Sequence, residues 1–334
     1  MRKLCLLFCV LSVCFAAYIS IQSPLYANAS AAAEIAMELT TETTLFERNA
    51  DAKLPMASTT KIMTAIIIIE DCNLDEELVV DSSAVGVEGS SIYLKENECI
   101  DVRDLLYGLM LRSGNDSAAA LAIHHSGSVD KFVEVMNARA KSIGAENTSF
   151  ANPSGLPDKN HYTTARDLCK IACHAMRNET FKEVVGTKNY SGKFRSYLNK
   201  NKMLSLCDGA NGVKTGYTMK AGRCLVSSCE REGMDVVSVV LNCPEMYERS
   251  CELFDECFSK YSLVKIDENR VFMCDRVLCK VKKSRAFIAN KGNRLDFKVK
   301  PVENGKKQKT GSEVAILEIG DQNGLIFEEK LYSI

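Results

Sequence analysis

Leu54-Pro55-Met56-Ala57-Ser58-Thr59-Thr60-Lys61-Ile62-Met63-Thr64-Ala65-Ile66-Ile67-Ile68-Ile69-Glu70 is the stretch on which the fold turns. By propensity its four consecutive isoleucines argue for a strand. A helix that is apolar on most faces because it is wholly buried is equally allowed. Periodicity does not separate the two, but the chemistry does. Ser58 and Lys61 form an SxxK tetrad, and on a helix positions i and i+3 share a face. A serine hydroxyl is a weak nucleophile at neutral pH and needs a base beside it. A lysine amine serves as that base when burial or another cation lowers its pKa. Ile62, Met63 and Ile66 to Ile69 would supply the apolar walls. A helix N-terminus at Ser58 would aim backbone N–H groups at a developing oxyanion.

The tetrad recurs at Ser128…Lys131 and Ser262…Lys265, so a second element has to choose among the three. Ser113-Gly114-Asn115 is the only SxN in the chain, and only the first tetrad precedes it. A serine hydroxyl can relay a proton to a leaving amine, and an asparagine amide can hold a peptide backbone. The bland alternative is an ordinary turn, since Ser-Gly-Asn is turn chemistry. The third element, Lys-Thr-Gly, occurs twice. Lys214-Thr215-Gly216 leads into Tyr217 and fits an edge strand. There Gly216 would let a substrate backbone lie close, with Lys214 and Thr215 binding a carboxylate. Lys309-Thr310-Gly311 follows a run of charge and reads as a solvated turn.

SxxK, SxN and KTG in this order are the signature of penicillin-binding proteins and class A β-lactamases. The wider text is more specific. Leu54 to Ala65, Leu111-Arg112-Ser113-Gly114-Asn115-Asp116-Ser117-Ala118, and Gly209-Ala210-Asn211-Gly212-Val213-Lys214-Thr215-Gly216-Tyr217-Thr218 resemble the low-molecular-mass D-alanyl-D-alanine carboxypeptidases, peptidase family S11. Asn152-Pro153-Ser154-Gly155-Leu156 with His161-Tyr162-Thr163-Thr164-Ala165 resembles that family's linking segment. Two positions depart from its habit: Asn211 stands where aspartate is common, and Ser154 where histidine often is.

The resemblance implies an acyl-enzyme on Ser58, with Lys61 as base and Ser113 passing a proton to the departing D-alanine. Asn115, Lys214, Thr215 and Gly216 would bind substrate, and the N–H groups of Ser58 and Tyr217 would form the oxyanion hole. No cofactor and no metal is implied. The partner is a peptidoglycan stem peptide ending in D-Ala-D-Ala, with β-lactams as covalent inhibitors. A β-lactamase of the same fold and a silent wall-binding protein are the rival readings. The nearest text to a β-lactamase ExxLN segment is Arg195-Ser196-Tyr197-Leu198-Asn199, with arginine in the glutamate's place.

Composition narrows the field independently. Of 334 residues, 46% are hydrophobic and 25% charged, which excludes wholesale disorder. Lys+Arg is 42 against 43 Asp+Glu, which argues against a nucleic-acid binder. Arg2 and Lys3, an apolar run from Leu4 to Ile19, and Ala27-Asn28-Ala29 read as an export signal cleaved after Ala29, the alternative being an uncleaved anchor. No basic amphipathic tail suggests a C-terminal membrane helix. Of 15 cysteines, three leave with the signal; the other twelve read better as small buried hydrophobes than as a disulfide framework.

The expected architecture is α+β: a β-lactamase/transpeptidase-like domain, 30–263, with an antiparallel sheet flanked by helices and a helical subdomain, then a small all-β domain, 264–334. A hairpin over 34–56 should turn at Glu47 to Asp51. Helices are expected over Val102–Leu111 (capped by Asp101), 117–125, 129–143, 164–176 and 247–261, and strands over 211–245. His161 either lines the cleft or is a loop histidine held by hydrogen bonds. His124, His125 and His174 read as structural.

Overall fold

The computed structural model describes residues 31–302 and 309–334. The expected export signal lies outside them. Five antiparallel strands make the central sheet: β1 (Ala33–Glu38), β2 (Thr44–Arg48), β3 (Ala210–Thr218), β4 (Gly222–Arg231) and β5 (Met234–Leu241). Their order is β2-β1-β5-β4-β3, which leaves β3, the strand of Lys214, at an edge.

The first hairpin turns earlier than its polar run suggested. The Glu38 carboxylate accepts from the N–H groups of Thr40 (3.0 Å) and Thr41 (2.7 Å) and from the Thr41 hydroxyl (2.7 Å). Side-chain acceptance of this kind fixes a tight turn. Glu47 and Arg48 therefore end β2 instead, where Arg48 pairs with buried Glu34 opposite it on β1.

Helix α1 (Lys61–Asp71) carries the isoleucine run. Ile62, Met63, Ile66, Ile67 and Ile68 are all buried, inside a cluster that one face of the sheet shares with the surrounding helices. Full burial of an isoleucine side chain is worth roughly 2 kcal/mol, while its helix-propensity deficit is only tenths. Packing therefore decides the conformation. Helix α2 (Val102–Tyr107) starts at Asp101, whose carboxylate accepts from the Asp104 N–H (2.6 Å). The chain then loosens into a π-helical turn over Gly108–Arg112, which ends at Ser113 in the left-handed region, φ 64°. Helices α3 (Asn115–Ser126), α4 (Val129–Ser142), α5 (Ala165–Met176) and α6 (Glu179–Gly186) complete this side of the molecule. The opposite face of the sheet is covered by α7 (Met246–Lys260), through Leu253, Phe254, Cys257 and Phe258.

From Tyr261 onward the described residues form strands joined by turns, with no helix among them. A pair (Tyr261–Ile266 with Arg285–Asn290) adjoins a second five-stranded sheet built from Phe272–Cys274, Val277–Lys280, Asp296–Pro301, Glu313–Asp321 and Gly324–Ser333. Its apolar cluster, including Cys279, Phe287, Leu317 and Leu331, draws only on this segment. Cys169, Cys173, Cys224 and Cys229 are fully buried free thiols. Among the described residues, no helix is long and apolar enough to cross a membrane.

Candidate active site

Ser58 sits in a single 3₁₀ turn, Ala57–Thr60, that runs directly into α1. Ala57 adopts φ 48°, a conformation an L-residue reaches only at a cost. The turn is clamped from three directions. Thr59 Oγ1 donates to the Met56 carbonyl (2.6 Å), and Thr60 Oγ1 donates to the Ala57 carbonyl (2.8 Å). Below it lies Gly155, φ +91°, where a Cβ would fall 2.0 Å from the Ala57 carbonyl oxygen. Beside it runs β3, where a Cβ on Gly216 would fall 3.0 Å from the Ser58 nitrogen. Gly216 thus admits the nucleophile turn itself, a closer neighbour than the substrate backbone expected there.

Lys61 is fully buried. Its Nζ lies 3.1 Å from Ser58 Oγ, 2.7 Å from Asn115 Oδ1 and 2.6 Å from the Ser154 carbonyl oxygen. The last two atoms can only accept. A neutral amine has two N–H groups and one lone pair. Spending the N–H groups on the amide and carbonyl oxygens leaves the lone pair for the Ser58 hydroxyl. Burial, then the nearby positive charge of Lys214, hold the Lys61 pKa well below the ordinary lysine value, with the Asp116 charge opposing. The group therefore favours the neutral form that this geometry requires.

The same helix–loop contact contains His161. It is buried, and burial brings its pKa to about 4, against the opposing charge of Asp158. Its Nδ1 accepts from the Ala151 N–H (3.0 Å), which assigns the proton to Nε2, 2.7 Å from Thr60 Oγ1. That hydroxyl already donates to Ala57, so it accepts from the ring. His161 is a neutral support of the nucleophile turn, as the hydrogen-bonded reading expected.

A cleft of about 440 Å³ opens above Ser58, walled by Ser113, Thr215, Gly216 and Tyr217 among others. None of its lining residues is acidic. Lys214 is almost wholly buried behind this wall. Burial, then the charge of Lys200, bring its pKa to about 7. Asn115 is also buried: its Oδ1 faces Lys61, and its Nδ2 donates to the Glu88 carbonyl (2.5 Å). The amide expected to hold substrate is thus engaged with protein here.

The structure also separates the false copies. Ser128 caps α4, accepting from the Lys131 N–H (3.3 Å). Ser262 and Lys265 lie three apart on a strand and so point to opposite faces. Lys309 lies in a turn where its carbonyl accepts from Ser312 and Ser333. Arg195 is tied to Glu98 and Asp104, away from Ser58.

Four contributors were given no role by the sequence. The Ser154 carbonyl and the Pro153 carbonyl, which accepts from Thr64 Oγ1 (2.7 Å), are backbone atoms. Asn152 shapes that loop, its Oδ1 accepting from the N–H groups of Ser154, Gly155 and Leu156. Asp116 fixes the loop over Ser113, accepting from the N–H groups of Ile92 (3.0 Å) and Leu94 (3.1 Å).

An antiparallel sheet between helical layers, with SxxK, SxN and KTG gathered at one edge, defines the transpeptidase-like class of serine acyl-transfer scaffolds. The sequence profile of the D-alanyl-D-alanine carboxypeptidases, peptidase S11, matches residues 20–245, and the chain belongs to that family. Its relatives include D-alanyl-D-alanine carboxypeptidase DacF of Bacillus subtilis, 34% identical over 241 residues, 68% of this chain and 62% of that protein. The D-alanyl-D-alanine carboxypeptidase of Streptomyces sp. strain K15 is 39% identical over 228 residues, 62% of this chain and 78% of that one. The chain thus spans a little under two thirds of the Bacillus protein's length. Among solved structures, penicillin binding protein 5 from Haemophilus influenzae superposes with a TM-score of 0.78 at 26% identity, covering 91% of this chain and 96% of that one.

Proposed function

We propose that the protein is an exported serine-type D-Ala-D-Ala carboxypeptidase that removes the terminal D-alanine from peptidoglycan stem peptides. Its catalytic part is residues 30–263, and 264–334 form a separate β-rich module. Ser58 Oγ attacks the penultimate carbonyl carbon while its proton passes to Lys61 Nζ. The N–H groups of Ser58 and Tyr217 receive the oxyanion, where each donor is worth on the order of 100-fold in rate. The C–N bond breaks, and D-alanine leaves with a proton delivered by way of Ser113. Water then cleaves the ester. Lys214 and Thr215 hold the terminal carboxylate, and Asn115 orients Lys61.

The observation that carries this reading is the Lys61 amine, dry, with two fixed acceptors and its third direction on Ser58 Oγ. The names and folds of the relatives support the substrate class. The test is D-alanine release from diacetyl-Lys-D-Ala-D-Ala, together with the intact mass after penicillin treatment. Release and a long-lived adduct, both lost in Ser58→Ala, are expected. Rapid penicillin turnover without D-alanine release would assign a β-lactamase instead, and no reaction with either a silent binder.

A further inference from the structure

The cleft does not end at Tyr217. The sheet register sets Arg223 directly opposite Tyr217. Past the strand edge the wall continues through Lys200, Arg223, Met246 and Tyr247 at the start of α7. Tyr217 is 64% exposed, presenting most of its ring to whatever occupies this end.

The charges here are unusual in having no protein counterpart. Among the described residues, no carboxylate lies within ion-pair distance, 4.0 Å, of Lys200, Lys214 or Arg223. The charges that act on Lys214 and Lys200 are themselves cations, Lys200 and Arg112 respectively. Arg223 gives one N–H to the Pro244 carbonyl (3.2 Å), which steadies the guanidinium while leaving other donors open. Lys200 and Arg223 line the cleft and Lys214 lies buried behind its wall, so three like charges gather around one opening. Such an arrangement is self-repelling until an anion fills it. One terminal carboxylate answers to Lys214. Lys200, whose charge acts on Lys214, shares that end of the cleft, which leaves Arg223 without a partner, opposite Tyr217.

We infer that Arg223, with Tyr247 beside it, forms a second anion subsite that takes a free carboxylate on the substrate upstream of the scissile bond. The inference rests on the carboxypeptidase reading and refines it: the preferred stem peptide is the acidic form, not the amidated one. Arg223 supplies a planar pair of donors matched to a carboxylate. Tyr217 and Met246 give the intervening peptide an apolar surface to lie on.

The test reads binding without chemistry. The Ser58→Ala protein is titrated calorimetrically, at low ionic strength, with two pentapeptides, L-Ala-γ-D-Glu-L-Lys-D-Ala-D-Ala and the same peptide with the glutamate α-carboxyl as carboxamide. The acid should bind tighter by about threefold to fivefold, the size of a solvent-exposed ion pair. Arg223→Gln on the same background should erase the preference, Arg223→Lys should keep part of it, and added salt should shrink it. Equal affinity for acid and amide, or an unchanged ratio in Arg223→Gln, overturns the inference. A ratio is read, so a general loss of folded protein does not imitate the effect. D-alanine release by the protein with Ser58 intact is measured alongside. Release without an acid preference sinks the subsite alone, and a preference without release sinks the catalytic reading alone.

Discussion

Ala57 and Gly155 interlock. The Ala57 carbonyl occupies the space in which any side chain at 155 would begin, and both residues have positive φ, 48° and 91°. The nucleophile turn and the Asn152–Leu156 loop therefore hold each other in a shape that neither would adopt alone.

Gly155→Ala is accordingly expected to push Ala57 and Ser58 out of register with Lys61. Misplacement of a reacting group by about 1 Å costs on the order of 100-fold in rate. Acylation by a fluorescent penicillin should fall by that much while the circular dichroism spectrum is retained. Acylation at the wild-type rate would show that the turn does not depend on this contact.

Asn115→Asp places a carboxylate against the Lys61 amine, 2.7 Å from where the amide oxygen now accepts. An adjacent negative charge favours the ammonium form and raises its pKa. Lys61 acts as base only when neutral, so the acid limb of acylation should move to higher pH. An acid limb in the wild-type position would mean that another group takes the Ser58 proton.

Lys214 governs the other side of the profile. Its pKa of about 7 means that it loses its charge, and with it its hold on a carboxylate, as pH rises through that value. The ratio kcat/KM for a D-Ala-D-Ala peptide should therefore decline above about pH 7. Lys214→Arg keeps its charge at every accessible pH, so it should remove that decline whatever it does to the maximum rate. An alkaline limb that survives the change would have to be traced elsewhere.

His161 links the site to acid stability. The unfolded imidazole takes its proton near 6.5, the folded one near 4. Between those values only the unfolded chain is protonated, so stability falls as the pH drops, by about 3 kcal/mol across the window. Below about 4 this group adds no further loss. His161→Gln, which keeps a polar reach toward Thr60 without titrating, should flatten the urea midpoint against pH between 6.5 and 4. A slope as steep as the wild type's would assign the effect to other groups.

The sequence announced the side chains of the site and left the backbone silent. Ser58, Lys61, Thr215 and Tyr217 could be named because their chemistry is carried by residue type and spacing. The isoleucine run stayed ambiguous until Ser58 and Lys61 required a shared face, because burial on every side removes the period that marks a helix. What sequence could not show were acceptors without a residue signature, such as the Ser154 carbonyl under Lys61. Nor could it show that Gly216 makes room for Ser58, since a close approach between distant segments is invisible locally. The first hairpin was misplaced because Glu38, a strand-end residue by type, folds its carboxylate back over Thr40 and Thr41.

The thiols of Cys169, Cys173, Cys224 and Cys229 fill interior volume on both sides of the central sheet and are bonded to no second sulfur. Among the described residues, native packing thus asks nothing of an oxidising catalyst. The described fold should therefore form as well with a thiol reductant present as without one.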